Sequence, residues 1–155
     1  MRILLCGGAG YIGAHAYVVL AERGHEVVIA DNFSNSSPGV LARLQAITGQ
    51  PVAFQPLDLR DREATVGFFA RQPFDAVVHF AALKSVGESC ERPLDYFHNN
   101  ITGTLNLLHG MQAAGVKRLV FSSSATVYGD PARVPVSEDA ALQVTNPYGR
   151  TKLVM

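Results

Sequence analysis

The opening stretch Arg2-Ile3-Leu4-Leu5-Cys6-Gly7-Gly8-Ala9-Gly10-Tyr11-Ile12-Gly13 decides the fold. Arg2 to Cys6 reads as a short apolar strand, the glycines as a tight turn, and Ile12 to Leu20 as a helix with one apolar face. In this strand–turn–helix unit each glycine has a separate task. Gly7 turns the chain, Gly10 lets backbone approach a pyrophosphate, and Gly13 permits close packing of helix on strand. The free amides at the helix start, around Tyr11 and Ile12, suit an anion. The spacing is GxxGxxG rather than GxGxxG, with Gly8 supplying an extra glycine directly after the first.

Downstream residues extend the dinucleotide reading. A second strand, His25 to Ala30, runs into Asp31, 24 residues beyond Gly7, where an acid that grips a ribose belongs. Its carboxylate can accept both adenosine ribose hydroxyls and would repel a 2'-phosphate, which favours NAD over NADP. Asn32, Asn35 and Ser36 follow in a polar loop that either closes over the adenosine or forms ordinary turns before a helix begun by Pro38. The alternation then continues with helix Gly39 to Ile47, strand Val52 to Gln55, helix Asp61 to Arg71 and strand Ala76 to Phe80. A helical stretch from Pro93 to Ala114 and strand Leu119 to Ser122 complete it. Such alternation predicts a Rossmann-like parallel α/β sheet with helices on both faces, its strand ends opening on one crevice. Near that crevice fall Asp58 and Leu59, with Asp58 able to meet an adenine amino group. Phe80, Ala81 and Ala82 mark the end of the fourth strand, the alanines small enough for close cofactor contact, and Lys84 follows as a phosphate or ribose partner. Asn99 and Asn100 interrupt the helical stretch, and Asn99 is expected to be the inward amide that orients the lower edge of the site.

Composition narrows the class. The 155 residues are 48% hydrophobic, enough for one sizeable core. Thirteen basic and thirteen acidic residues give a formal net charge of +0, so no charged surface argues for nucleic acid. Cys6 and Cys90 show neither metal-ligand spacing nor a disulfide framework, which fits a reducing cytoplasm and no metal centre. The early apolar segment is interrupted by glycines, against a secretory leader, and no membrane-spanning run is present.

The chemistry gathers near the end of the chain. Tyr148 and Lys152 are four residues apart, which puts a phenol and an ammonium on one helix face about 6 Å apart. A phenol is a poor base at neutral pH, and a neighbouring cation favours its phenolate. Ser122, Ser123 and Ser124 end the fifth strand. Ser124 is placed to bond both a substrate oxygen and the Tyr148 hydroxyl, while Thr126 and Tyr128 either touch substrate or pack the loop. Joined to the glycine-rich opening, this set points to a nicotinamide-dependent enzyme acting on a sugar.

The segments GGAGYIG, DNFSNS, HFAALKSVGES, the pair Asn99-Asn100, FSSSATVYGD and NPYGRTK together resemble the N-terminal part of the UDP-glucose 4-epimerase family, within the extended short-chain dehydrogenases/reductases. The resemblance implies Tyr148 as catalytic base, Lys152 as its electrostatic and ribose-binding partner, and Ser124 as the hydroxyl that helps proton transfer. The implied NAD contacts are Gly7, Gly10, Tyr11, Ile12, Gly13, Asp31, Asn32, Asn35, Ser36, Asp58, Leu59, Phe80, Ala81, Ala82, Lys84, Asn99, Ser122, Tyr148 and Lys152. The substrate contacts are Lys84, Ser124, Thr126 and Tyr148. Cys6 stands where the family often has threonine, and Ala82 where it often has glycine. The resemblance further implies UDP-glucose and UDP-galactose as substrates and a homodimer. It also implies that residues 1–155 are an NAD-binding domain incomplete at its C-terminal side, with the substrate domain absent and little activity in isolation. A sugar-nucleotide dehydratase or decarboxylase is the enzymatic alternative, but such relatives carry acids just after the site hydroxyl, where this chain has Ala125 and Thr126. A different UDP-sugar range and a nonenzymatic NAD-binding module are the other readings.

Overall fold

A computed structural model describes all residues, 1–155. Five strands form one parallel sheet in the order β3-β2-β1-β4-β5: β1 Arg2–Cys6, β2 Glu26–Asp31, β3 Ala53–Pro56, β4 Ala76–His79 and β5 Leu119–Phe121. The chain winds outward from β1 to β3, then returns to the other side of β1 to lay down β4 and β5. The reversal leaves a crevice at the C-terminal ends of β1 and β4, where Cys6 pairs with His79.

Strand side chains alternate between two cores. Leu4, Cys6, Val28, Ala30 and Val77 face a layer containing Phe68, Phe69, Leu107 and Met111, carried by helices α3 (Arg62–Arg71) and α6 (Gly103–Ala113). Leu5, Val27 and Ile29 face Tyr17 and Leu44, carried by α1 (Tyr11–Glu22) and α2 (Gly39–Thr48). Apolar residues on both faces explain why these strands read as continuous hydrophobic runs. Phe68, Phe69 and Phe74 touch one another with ring centroids 5.6–6.1 Å apart. Gly110 lets α6 press against them, since a Cβ there would sit 2.5 Å from the Phe69 ring.

Several features depart from the sequence expectation. A short helix α4, Val86–Glu91, follows β4, its start capped by Ser85, whose Oγ accepts the Glu88 amide at 3.3 Å. The long helical stretch from Pro93 is also not uniform. It comprises α5 (Pro93–Phe97), one π-helical turn (His98–Thr102) and α6. Strand β5 ends at Phe121, one residue earlier than expected, although the Ser122 amide still reaches the His79 carbonyl at 3.1 Å. Finally α7, Pro147–Val154, is started by Asn146, whose Oδ1 accepts the Gly149 amide at 2.7 Å, with Pro147 in the first turn.

Phe68 is 0% exposed at the centre of the aromatic group, so Phe68→Ala should cost about 3–5 kcal/mol of stability in urea unfolding. Ile47→Ala, at a residue 64% exposed, should change it by less than about 0.5 kcal/mol.

Candidate active site

The crevice is shaped by what its glycines lack. Gly7 has φ +76, and a Cβ there would lie 2.5 Å from the Ala81 nitrogen, so the turn after β1 nearly touches the turn after β4. A Cβ on Gly13 would penetrate the Gly7 carbonyl oxygen and lie 2.7 Å from the Gly8 Cα. Helix α1 therefore begins flush against the turn. Gly10 offers no side-chain cap, and the first intrahelical bond runs from the Ala14 amide to the Gly10 carbonyl at 2.8 Å. The amides of Tyr11, Ile12 and Gly13 are left without helical partners at the positive end of the helix dipole. Tyr11 is 81% exposed at the rim, its ring 4.6 Å from that of His15.

One cleft gathers most of the expected cofactor residues. Gly7, Gly10, Tyr11, Ile12 and Gly13 line one end, and Asp31, Asn32, Asn35 and Ser36 line the β2 side. Asp58 and Leu59 come from the segment after β3, and Phe80, Ala81, Ala82, Lys84 and Asn99 close the β4 side. Ala30, Ser34 and Leu57 line it too; Ala30 and Leu57 offer no polar group, and Ser34 reads as one more polar residue of the loop after β2.

Protein donors orient the Asp31 carboxylate. Its Oδ2 accepts the Ala9 amide at 3.1 Å, and its Oδ1 accepts the Phe33 amide at 2.8 Å and the Ser36 hydroxyl at 3.3 Å. Phe33 adopts φ 55, unusual outside glycine, and stacks on Phe54 at 4.9 Å. The loop thus turns its aromatic residue away while Asn32 and Ser34 face the cleft. At Asp58 the Arg60 guanidinium, bonded to the carboxylate, holds the acid down at about 2.

The second group lies beyond β5. Lys152 is 5% exposed, and its Nζ donates to the Ser122 carbonyl at 2.8 Å and sits 4.7 Å from the centre of the Phe121 ring. Burial first, then the nearby Lys84 charge, lowers its pKa to about 8. Tyr148, four residues earlier on α7, is 7% exposed. Ser124 Oγ accepts the Thr126 amide at 3.2 Å and the Thr126 hydroxyl at 2.9 Å. Both its lone pairs are then occupied and one hydrogen remains to donate. No hydrogen bond joins Ser124 to the Tyr148 hydroxyl; its partner is Thr126. Thr126 orients Ser124, a role the sequence reading did not consider.

The inward amide also differs from expectation. Asn99 lines the cleft, but the residue that ties its lower edge together is Asn100, 4% exposed within the π turn. Asn100 Oδ1 accepts the Leu83 amide at 2.8 Å and Asn99 Nδ2 at 3.0 Å. Its Nδ2 donates to the Leu83 carbonyl and to Thr151 Oγ1, both at 3.0 Å. All four hydrogen-bonding positions of this amide are filled. They join the loop after β4 to α7, next to Lys152. Thr104 Oγ1 donates to the Asn100 carbonyl at 2.6 Å, so the imidazole Nε2 of buried His79, 2.9 Å from that hydroxyl, is the donor between them. His79 Nδ1 has no partner, and burial, reinforced by Lys152, pushes the ring down to about 3, so it is neutral at ordinary pH.

This arrangement defines a member of a broad class of dinucleotide-linked α/β enzymes, and residues 3–155 match the model of the NAD dependent epimerase/dehydratase family, to which the chain belongs. Among curated relatives, UDP-glucose 4-epimerase of Bacillus subtilis (strain 168) is 54% identical over 155 residues, covering 100% of this chain and 46% of that protein. Among solved structures, a UDP-glucose-4-epimerase from Stenotrophomonas maltophila with bound NAD and formylated UDP-arabinopyranose has TM-score 0.95 and 53% identity, over 99% of this chain and 46% of that one. The Bifidobacterium longum UDP-glucose 4-epimerase in complex with NAD+ and UDP has TM-score 0.96 and 44% identity, with the same two coverages. The chain spans about half the length of these relatives.

Because the Lys84 charge helps to lower Lys152, Lys84→Met should raise the Lys152 pKa above about 8. A carbon-13 NMR titration of the lysine ε-carbons checks this. Below about 8 the buried ammonium opposes folding, because the unfolded chain holds that proton more readily. This penalty is relieved as pH rises from about 8 toward the ordinary lysine value of 10.5, so over that interval Lys152 makes stability rise with pH.

Proposed function

We propose that the full-length protein containing this chain interconverts UDP-glucose and UDP-galactose at sugar C4, with NAD held in the cleft. The observation that carries the reading is the buried Lys152 ammonium on the same helix as Tyr148, beside a glycine-lined cleft. The cleft fits NAD. The free amides of Tyr11, Ile12 and Gly13 face a pyrophosphate, and the close approach of Gly7 to Ala81 leaves backbone rather than side chains at the phosphates. Asp31 accepts from the adenosine ribose, Asp58 from the adenine amino group, and Asn32, Asn35 and Ser36 close the adenosine side. Lys84, Asn99, Ser122 and Lys152 serve the nicotinamide half.

In this reading Tyr148 takes the proton of the sugar 4-hydroxyl, with Lys152 one turn further along the same helix. Ser124, aligned by Thr126, spends its remaining hydrogen on the sugar oxygen. NAD held by the glycine turn, Asp31, Lys84 and Asn99 would supply a reversible hydride acceptor for C4, with return to the opposite face of the 4-keto sugar, so that no net oxidation would result. Tyr148 returns the proton to the oxygen at that step. Lys84, whose charge is felt by Lys152, is the further substrate contact in this reading. Ala125 and Thr126 carry no carboxylate to expel water or assist decarboxylation, which favours epimerisation over those reactions. A homodimer in the cytoplasm is part of the proposal. It draws on the family resemblance, and the free thiols of Cys6 and Cys90 are consistent with a reducing compartment.

In the full-length protein, Tyr148→Phe should keep the fold and most NAD binding while reducing conversion of UDP-galactose by at least about 100-fold. Circular dichroism, bound-cofactor absorbance and product formation separate these effects. Near-normal turnover would remove Tyr148 as the base. A product lighter by water or carbon dioxide would replace epimerisation with dehydration or decarboxylation.

A further inference from the structure

Arg60 lies outside the cleft yet commits its side chain to a residue that lines it. Its Nε donates to Asp58 Oδ1 at 3.0 Å and Oδ2 at 3.1 Å, its Nη2 donates to Oδ2 at 2.6 Å, and its own amide donates to Oδ1 at 2.9 Å. No other acid forms an ion pair with it. The backbone that launches this side chain is fixed independently. Asn106, 5% exposed on α6, donates through Nδ2 to the Leu59 carbonyl at 2.8 Å and the Arg60 carbonyl at 3.0 Å. The Asp61 amide closes the turn onto the Asp58 carbonyl at 3.0 Å. Both ends of the guanidinium–carboxylate pair are thus anchored, and Asp58 still lines the cleft.

We infer that Arg60 is a positioning residue that gives the cofactor site its preference for adenine over 6-oxopurines. The inference rests on the reading of Asp58 as the acceptor for the purine 6-position. A planar fork in the plane of a carboxylate fixes its rotation as well as its charge. Held ionised and in one orientation, Asp58 can only accept hydrogen bonds. It therefore suits a 6-amino group and repels a 6-carbonyl oxygen. Without the fork, the partly exposed carboxylate keeps only the residue-60 amide and Asn32 as donors, and its free oxygen can turn to accept from the N1–H of a 6-oxopurine instead. The low Asp58 pKa agrees with this, since neutral Asp58 could donate to a carbonyl.

The test is a competition between NAD and nicotinamide hypoxanthine dinucleotide for the cofactor-free full-length protein, with the bound ratio read by mass spectrometry after denaturation. The unaltered protein should favour NAD by at least about tenfold, in line with a hydrogen bond to a charged group. Arg60→Leu should bring the preference to within about threefold. Arg60→Lys, which keeps the charge and loses the fork, should lose most of it as well. Asp58→Asn, whose amide can present either oxygen or nitrogen, should also abolish it. Undiminished preference in both Arg60 variants with loss in Asp58→Asn would overturn the role of Arg60 while leaving Asp58 at the purine. Undiminished preference in all three would overturn the placement of Asp58 itself, and the inference with it.

Discussion

Everything at the crevice depends on the approach of three backbone segments that only glycine allows. Gly7 brings the turn after β1 against Ala81, and Gly13 brings α1 against Gly7. A methyl group at Gly7 or Gly13 would drive one of these segments away by a distance comparable to an atomic radius. The consequence reaches beyond packing. When the helix start and two strand ends share so little space, the surface they present is made of amides and small side chains. Such a surface is suited to a diphosphate and offers little bulk to exclude one.

The same constraint sets the distance between the two halves of the site. Ala81 begins the loop that continues through Leu83 to Lys84, and Asn100 clasps both backbone groups of Leu83 while reaching Thr151 on α7. The glycine turn is thereby linked through packed backbone and one saturated amide to the helix carrying Tyr148 and Lys152. Burying Lys152 against Phe121 and a single carbonyl removes water from its ammonium, which lowers its pKa and makes its charge a strong local influence. His79 stays neutral beneath it, so no second permanent charge is buried there.

The sequence exposed the sheet well because its strands are buried on both faces. Runs such as Leu4-Leu5-Cys6 and Val27-Val28-Ile29-Ala30 cannot be anything amphipathic, and glycines with positive φ mark several of the turns. Helix α4 was missed because it is six residues long and contains Gly87, too short for a periodicity. The signal was present in Ser85 and Glu88, spaced as a capping box. The π turn had no such signal. Adjacent asparagines drew attention, and in the π turn they divide the work, Asn100 buried and Asn99 lining the cleft. Most of the cleft residues were legible because they lie at or just after strand ends, as Asp31, Asp58 and Ala81 do. Arg60 was not, and Thr126 was legible only as a substrate-contact or loop-packing candidate, since the contact each makes with another side chain shows only in the structure.

In the proposed function, the cleft and the Tyr148–Lys152 helix of the full-length protein together oxidise and reduce one carbon without releasing what was removed from it. Converting UDP-[4-²H]galactose with the full-length protein in ordinary water, then locating the label by NMR, tests this directly. The account predicts UDP-glucose with deuterium retained at C4. Product formed with the C4 label lost to solvent would contradict it, as would a folded, NAD-loaded protein that forms no UDP-glucose.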